Sequence, residues 1–321
     1  MINKVLFITL SNFGDVVLTL PALDVLRQEF PKARITVMVG PRVAGIFENN
    51  PFIHKLIIYD KYACLKEKIR LFFQLKKERF DLVVDFRNTL YGALLPAVCR
   101  TSPFLYIPTG IRHMNERNLY RLAKALGHKG AWQKAEDKSF YVSQENKNYI
   151  SAVLENNGIG SADKLIIVSP ITAGSAKQWD KQNFIQLCGQ LKDYKLLLIG
   201  RQEDKSVIEQ ICLQAEASIL NLAGRTSLEQ LAYLLQKACL VVSCDTGILH
   251  LASYFDVPIL GIYGPTDERK YGPWSSKYKV LKSSVSCRPC MRPNCKFNTS
   301  DCMRQISVKQ ALDSIDALLK S

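Results

Sequence analysis

The run from Leu240 to Pro265 constrains the fold more than any other stretch of the chain. Residues 240–242 form a short apolar strand pattern, and Asp245-Thr246-Gly247 is a tight turn that opens an amphipathic stretch over 248–255. Residues 257–263 form a second apolar strand, which stops at Gly264-Pro265. Strand, turn, helix and strand in this order place free backbone amides and small side chains at a helix N-terminus, where anions bind. The ligand expected there is a phosphate or diphosphate, held by the amides of Thr246 and Gly247, with Asp245 and His250 beside it.

The same alternation runs through the chain. Apolar strand patterns at 5–9, 34–39, 56–59, 82–84 and 104–107 are interleaved with helical patterns at 15–30, 65–78, 90–98 and 119–126. After residue 158 the pattern starts again, with strands at 165–169 and 195–199, helices at 184–191, 203–215 and 228–236, and a last helix at 308–319. Strands alternating with helices imply parallel sheets covered by helices on both faces. The expected fold class is therefore α/β, with two Rossmann-like, doubly wound domains facing a cleft, residues 1–158 and 159–321. A chain of 321 residues has the length for two such cores.

Net charge is +14 and unevenly spread: residues 54–130 carry 15 Lys and Arg against 6 Asp and Glu. Such a surplus suits nucleic acid, an anionic membrane face or a phosphorylated substrate. No finger spacing and no aromatic RNA-binding strand is present, so nucleic acid is not an expected partner. No apolar run approaches the ~18 residues of a membrane span. The apolar N-terminus is interrupted by Asp15 and lacks a small-residue cleavage site, so it reads as a first strand rather than a signal peptide. The chain is expected in the cytoplasm, and its basic helix at 65–78 makes peripheral attachment to the inner face of the cell membrane an added expectation.

Ten cysteines in that compartment argue against a disulfide framework. Cys64, Cys99, Cys188, Cys212, Cys239 and Cys244 lie in apolar contexts and are expected as small core hydrophobes. Cys287-x2-Cys290-x4-Cys295-x6-Cys302 has one metal-like pair and an irregular second spacing. Either a soft metal or reduced structural thiols would account for it. No metal ligand and no cofactor is assigned.

Three units carry the chemistry. The first strand ends in Ser11-Asn12-Phe13-Gly14-Asp15. In open α/β sheets ligands bind beyond the carboxyl ends of the strands, so Asp15 stands where a general base toward a sugar hydroxyl belongs. The alternative is a carboxylate that only complements a helix dipole. The first strand of the second half leads into Ser169-Pro170-Ile171-Thr172-Ala173-Gly174-Ser175-Ala176-Lys177-Gln178-Trp179. Its small residues let backbone approach a ligand, with Thr172 and Ser175 as contacts and Lys177 as a point charge on a diphosphate. The third unit is Asp245-Thr246-Gly247, with His250 one turn on.

Together these units resemble glycosyltransferase family 9, the family of the lipopolysaccharide heptosyltransferases. The resemblance rests on Gly14-Asp15 followed by Leu20-Pro21-Ala22-Leu23, on Lys177-Gln178-Trp179, on Asp245-Thr246-Gly247-Ile248-Leu249-His250, and on Gly261-Ile262-Tyr263-Gly264-Pro265-Thr266. It covers nearly the whole chain. It implies a GT-B fold and an inverting, metal-independent transfer of a sugar, heptose from ADP-heptose, from a nucleotide diphosphate donor to a lipopolysaccharide core or related lipid-anchored glycan. By that resemblance Asp15 deprotonates the acceptor, Lys177 with the Thr246 and Gly247 amides stabilises the leaving diphosphate, and Asp245 positions the donor sugar.

Two departures stand out. Many relatives carry a basic residue where this chain has Thr9-Leu10-Ser11, and Lys-Arg-Trp-Pro where it has Lys177-Gln178-Trp179-Asp180. Two other readings use the same loops: a nucleotide-sugar epimerase or hydrolase, and a non-catalytic nucleotide-sugar binding module.

Overall fold

Uninterrupted Val, Ile and Leu runs are the mark of strands buried on both faces of a parallel sheet, and the computed structural model, which describes residues 2–128, 135 and 137–320, contains two such sheets. The chain divides into two compact units, Met1–Tyr141 and Val142–Ser321.

The first unit holds β1 (Lys4–Ile8), β2 (Arg34–Val39), β3 (Lys55–Ile58), β4 (Leu82–Asp85) and β5 (Cys99–Arg100), all parallel in the order β3-β2-β1-β4-β5. Its helices are α1 (Phe13–Val17), α2 (Leu20–Glu29), α3 (Leu65–Glu78), α4 (Leu90–Leu94) and α5 (Met114–Ala125). The helix expected over 15–30 is two helices. Thr19 Oγ1 donates to the Val16 carbonyl (2.7 Å) and Pro21 has no N–H to continue the ladder, so the chain restarts at α2. The helix expected over 90–98 stops at Leu94, because Leu95 precedes Pro96 and is extended. No strand forms over 104–107: Pro103 and Pro108 flank it and Phe104 is exposed, so the pairing strand is the two-residue β5 instead.

The second unit holds α6 (Gln144–Asn156), β6 (Leu165–Ser169), α7 (Lys181–Gln190), β7 (Lys195–Leu198), α8 (Lys205–Gln214), β8 (Ile219–Asn221), α9 (Leu228–Lys237), β9 (Leu240–Cys244), α10 (Gly247–Tyr254), β10 (Ile259–Tyr263), α11 (Glu268–Tyr271), β11 (Tyr278–Lys282), α12 (Asp301–Arg304) and α13 (Val308–Lys320). Its strands are parallel in the order β11-β10-β9-β6-β7-β8. The expected division after residue 158 lies beyond α6, whereas α6 belongs to the second unit. Its Asn146 Nδ2 donates to Glu229 Oε2 (2.8 Å) and its Asn146 Oδ1 accepts from Gln230 Nε2 (2.9 Å), both on α9.

Both orders reverse direction once, between β1 and β4 in the first sheet and between β6 and β9 in the second. At such a switch point neighbouring loops leave the sheet to opposite sides and open a crevice past the carboxyl ends of the strands. The sequence units singled out above follow β1, β6 and β9, which border those two crevices.

Candidate active site

The loop after β6 is held by side chains buried beneath it. The Trp179 indole is fully buried, stands edge-on to Phe184 with ring centroids 5.0 Å apart, and donates from Nε1 to the Ile306 carbonyl (2.9 Å). Gln178 closes the loop from within: its Nε2 donates to the Pro170 (2.6 Å) and Trp179 (2.8 Å) carbonyls, and its Oε1 accepts from the Thr172 N–H (3.0 Å). Thr172 Oγ1 donates to the Gly174 carbonyl (2.8 Å), and Ser175 Oγ donates to Asn294 Oδ1 (3.2 Å). Lys177 therefore extends from a backbone fixed on both sides.

β9 pairs with β6, and this brings the Asp245 turn to that loop. Lys177 Nζ lies 2.5 Å from Oδ2 of the buried Asp245, and Thr266 Oγ1 donates to the same oxygen (2.6 Å). An ammonium has three donors, so Asp245 orients Lys177 with one and leaves two for a ligand. Thr266, quoted in the sequence only as part of a motif, is the third member of this constellation.

Thr246 precedes α10 and pairs its Oγ1 with Ser243 Oγ (3.0 Å) instead of capping the helix. The first-turn amides from Gly247 onward are thus left without a side-chain cap, next to Asp245, where an anion would complete them. His250 is buried, with its ring stacked on Trp274 (centroids 5.7 Å, planes 23° apart). Cys244, beside Asp245, has its thiol pushed up to about 12 by burial, so it is neutral and no nucleophile.

The cysteine-bearing segment, remote in sequence, buttresses these loops. The Ala176 N–H donates to the Pro293 carbonyl (3.3 Å), and the Met291 N–H donates to the Pro265 carbonyl (2.9 Å). Arg288, almost fully buried, donates to the carbonyls of Gly264 and Thr266 and to Glu268 Oε2 (3.2 Å). Lys282 also binds Glu268. Burial alone would raise the Glu268 carboxyl, but the Lys282 hydrogen bond, with the Lys282 and Arg288 charges, holds it below the usual range. Among the described residues no three His, Cys, Asp or Glu side chains are gathered to hold a metal ion. Of the cysteines expected in the core, Cys188 and Cys244 are buried, Cys99, Cys212 and Cys239 are half-buried, and Cys64 is exposed at the start of α3.

In the first unit Gly14 and the half-buried Asp15 sit in α1, and Asp15 Oδ2 accepts from Asn12 Nδ2 (3.0 Å). Two cations the sequence reading passed over stand at the end of the neighbouring strand β4: Arg87, just past that strand, and Arg121, from α5. Arg87 Nη1 donates to Ser11 Oγ (2.7 Å), with its guanidinium 5.1 Å from the Tyr59 ring centroid. Arg121 Nη2 donates to the Asp85 carbonyl (2.9 Å) and to Asn88 Oδ1 (2.6 Å). Burial lowers Arg121, opposed by the Asp85 charge, and a guanidinium so placed stays charged. Asp85 at the end of β4, followed by Arg87, is the pattern that would have marked this edge of the crevice.

A family model described as glycosyltransferase family 9 (heptosyltransferase) matches residues 68–300. Over 319 residues the chain is 25% identical to lipooligosaccharide heptosyltransferase 2 of Campylobacter jejuni, covering 96% of each chain. Its fold matches that of a glycosyl transferase family 9 protein from Veillonella parvula with a TM-score of 0.79, at 21% identity and covering 99% of this chain and 97% of the other. It also matches E. coli ADP-heptose lps heptosyltransferase II with a TM-score of 0.77, at 21% identity and covering 99% and 98%. The two parallel sheets and these likenesses make the fold that of the GT-B class.

Proposed function

The chain belongs to glycosyltransferase family 9, and from that premise we propose that it transfers heptose from ADP-heptose to a sugar hydroxyl of the lipopolysaccharide core, with inversion at the anomeric carbon. The observation that carries this reading is the Lys177–Asp245–Thr266 constellation at the switch point of the second sheet, beside the uncapped amides of α10. Supporting it, a 25% identical relative is named a lipooligosaccharide heptosyltransferase and a fold neighbour an ADP-heptose lps heptosyltransferase.

In this mechanism the donor diphosphate takes the two remaining Lys177 donors and the amides of Thr246 and Gly247. Asp245 holds the ammonium and offers its second oxygen to donor sugar hydroxyls, and Thr172 and Ser175 line the same loop. His250, within α10, stacks on Trp274. Asp15, preceded by Gly14 in α1, accepts the proton of the acceptor hydroxyl as that oxygen bonds to the anomeric carbon. The bond from that carbon to the diphosphate breaks, and the released negative charge falls on Lys177 and the α10 amides. Arg87, tied to Ser11, supplies the cation missing from Thr9-Leu10-Ser11, and with Arg121 it suits an acceptor that carries phosphate. The nucleotide donor and core acceptor place the reaction at the cytoplasmic face of the membrane.

The test is a comparison of thermal shifts with ADP-heptose and ADP, followed by turnover on a heptose-deficient core acceptor. A larger shift with the sugar nucleotide and transfer by the wild-type chain support the assignment. A larger shift with another nucleotide sugar, or hydrolysis without transfer, overturns it.

A further inference from the structure

The C-terminal cysteines differ from those inside the core. Burial pushes the thiols of Cys188 and Cys244 up to about 12 and that of Cys212 up to about 11, which leaves them protonated and inert. Cys287, Cys290 and Cys295 instead lie in residues 283–300, which contain no strand or helix, and Cys302 sits in the first turn of α12. Cys287 and Cys290 are exposed, Cys295 is half-buried and Cys302 is buried. Burial raises the Cys302 thiol, and the charges of Cys287, Cys290 and Cys295 raise it further, so the four sulfurs form one cluster. Thiols that crowd together without converging on a common point, as among the described residues, suit pairwise oxidation.

Within that cluster the backbone singles out Cys295. Asn298 and Ser300 both take left-handed backbone, with φ of 55° and 49°, a local conformation that turns successive amides toward one point. The Ser300, Phe297 and Thr299 amides, with the Thr299 hydroxyl, hydrogen-bond the Cys295 sulfur and hold its thiol below the ordinary range. A thiolate that solvent reaches, with further thiols around it, is the arrangement that peroxides oxidise first.

The two residues before Cys295 clamp the loop that carries Lys177. The Pro293 carbonyl accepts from the Ala176 N–H (3.3 Å), and Asn294 Oδ1 accepts from Ser175 Oγ (3.2 Å). A Cβ at Gly174 would stand 3.3 Å from the same Pro293 carbonyl, so the contact has no slack. A disulfide demands Cα atoms within about 7 Å and a fixed dihedral, so closing one on Cys295 moves residues 293 and 294. We propose that Cys295 is a thiol-oxidation site through which a peroxide weakens binding of the donor diphosphate. Its thiolate attacks the peroxide, forming an S–O bond as the O–O bond breaks and one oxygen leaves as water. A second thiol of the cluster then attacks that sulfur, forming the S–S bond and expelling the other oxygen as water. The two thiols give up two electrons and two protons, and hydrogen peroxide becomes two water molecules. The effect on the donor rests on the reading that the Lys177 loop holds the diphosphate; the oxidation does not.

The experiment treats the reduced full-length protein with hydrogen peroxide, maps disulfides by peptide mass spectrometry and measures ADP affinity by calorimetry. The expected result is a disulfide that includes Cys295, with the Kd for ADP raised about tenfold and restored by dithiothreitol. Cys295→Ser should bind ADP as the reduced wild type does and keep that affinity in peroxide, whereas Cys64→Ser, altered at the exposed cysteine before α3, should respond as the wild type. A disulfide without Cys295, an unchanged ADP affinity once the disulfide has formed, or a loss shared by Cys295→Ser overturns the proposal. So does purified protein that carries stoichiometric zinc or iron with these thiols unreactive. Failure of the reduced protein to bind ADP would overturn the diphosphate reading and the coupling with it, while the peptide map still decides the oxidation.

Discussion

Lys177 and Asp245 are legible in the sequence as separate residues, one a cation for phosphate and the other a ligand for sugar hydroxyls, but their 2.5 Å ion pair is not. The pairing depends on β6 and β9 being neighbours, which residue types alone do not state. It has a consequence for stability. Replacing Lys177 by Ala leaves the buried Asp245 with the Thr266 hydroxyl but without its cation, and an undercompensated buried carboxylate is costly. Lys177→Ala is expected to lower unfolding free energy by about 1–3 kcal/mol. Lys177→Ala/Asp245→Asn should recover much of that loss, and chemical denaturation of the two variants and of Asp245→Asn closes the cycle. Additive losses would show that the pair is not coupled. Asp15 separates chemistry from binding. As the base, Asp15→Asn should lower kcat by roughly 10²–10⁴-fold while the donor-induced thermal shift is kept. A retained kcat would remove Asp15 from the mechanism.

At the scale of elements the sequence reads well wherever apolar runs are bounded by small residues, as in β1, β6, β9 and β10. It reads poorly at sheet edges. β11, Tyr-Lys-Val-Leu-Lys, is mostly exposed and carries two lysines in five residues, so it lacks the apolar run that marks the central strands. The cysteine-bearing segment was legible only as a metal-or-thiol alternative, because its contacts with the 174–177 loop and the Gly264 turn join residues about a hundred positions apart or brought together only by β10. Gly264 shows how tight that junction is: a Cβ there would stand 2.5 Å from Met303 Sδ and 3.1 Å from the Ala176 carbonyl. Gly264→Ala should therefore displace the Lys177 loop, raising the donor KM more than it lowers stability. The Glu268 network adds a pH dependence. Its carboxyl titrates lower in the folded chain than in the unfolded one, so the stability it contributes is present at neutral pH and is lost as pH falls below the ordinary glutamate range. The melting temperature of Glu268→Gln should accordingly fall less steeply between about pH 5 and pH 3 than that of the wild type. Parallel curves would mean the Arg288 and Lys282 contacts are not coupled to folding.

For the molecule as a whole, alternation of strands and helices was enough to read two α/β units, but not enough to read strand order. Order decides function here, since only the switch between β6 and β9 sets the Lys177 loop beside the Asp245 turn, and only the switch between β1 and β4 sets Arg87 against Ser11. The division at Tyr141 rather than after α6 was hidden for a related reason: the bonds of α6 go to α9, some eighty residues ahead. Each unit closes its own core, so ligand energy need not be shared between them. A donor that binds the second unit stabilises its folded state by about 2.7 kcal/mol at a hundred times Kd. Hydrogen exchange with and without ADP should then show slowed exchange in β6, β9, α10 and the loops after β6 and β9, while β1, β2 and β4 of the first unit keep their rates. Full unfolding of the two units should separate into two steps on adding ADP, since only one of them gains the ligand's free energy. Equal protection in the strands of both units would overturn the assignment of the nucleotide to the second unit alone.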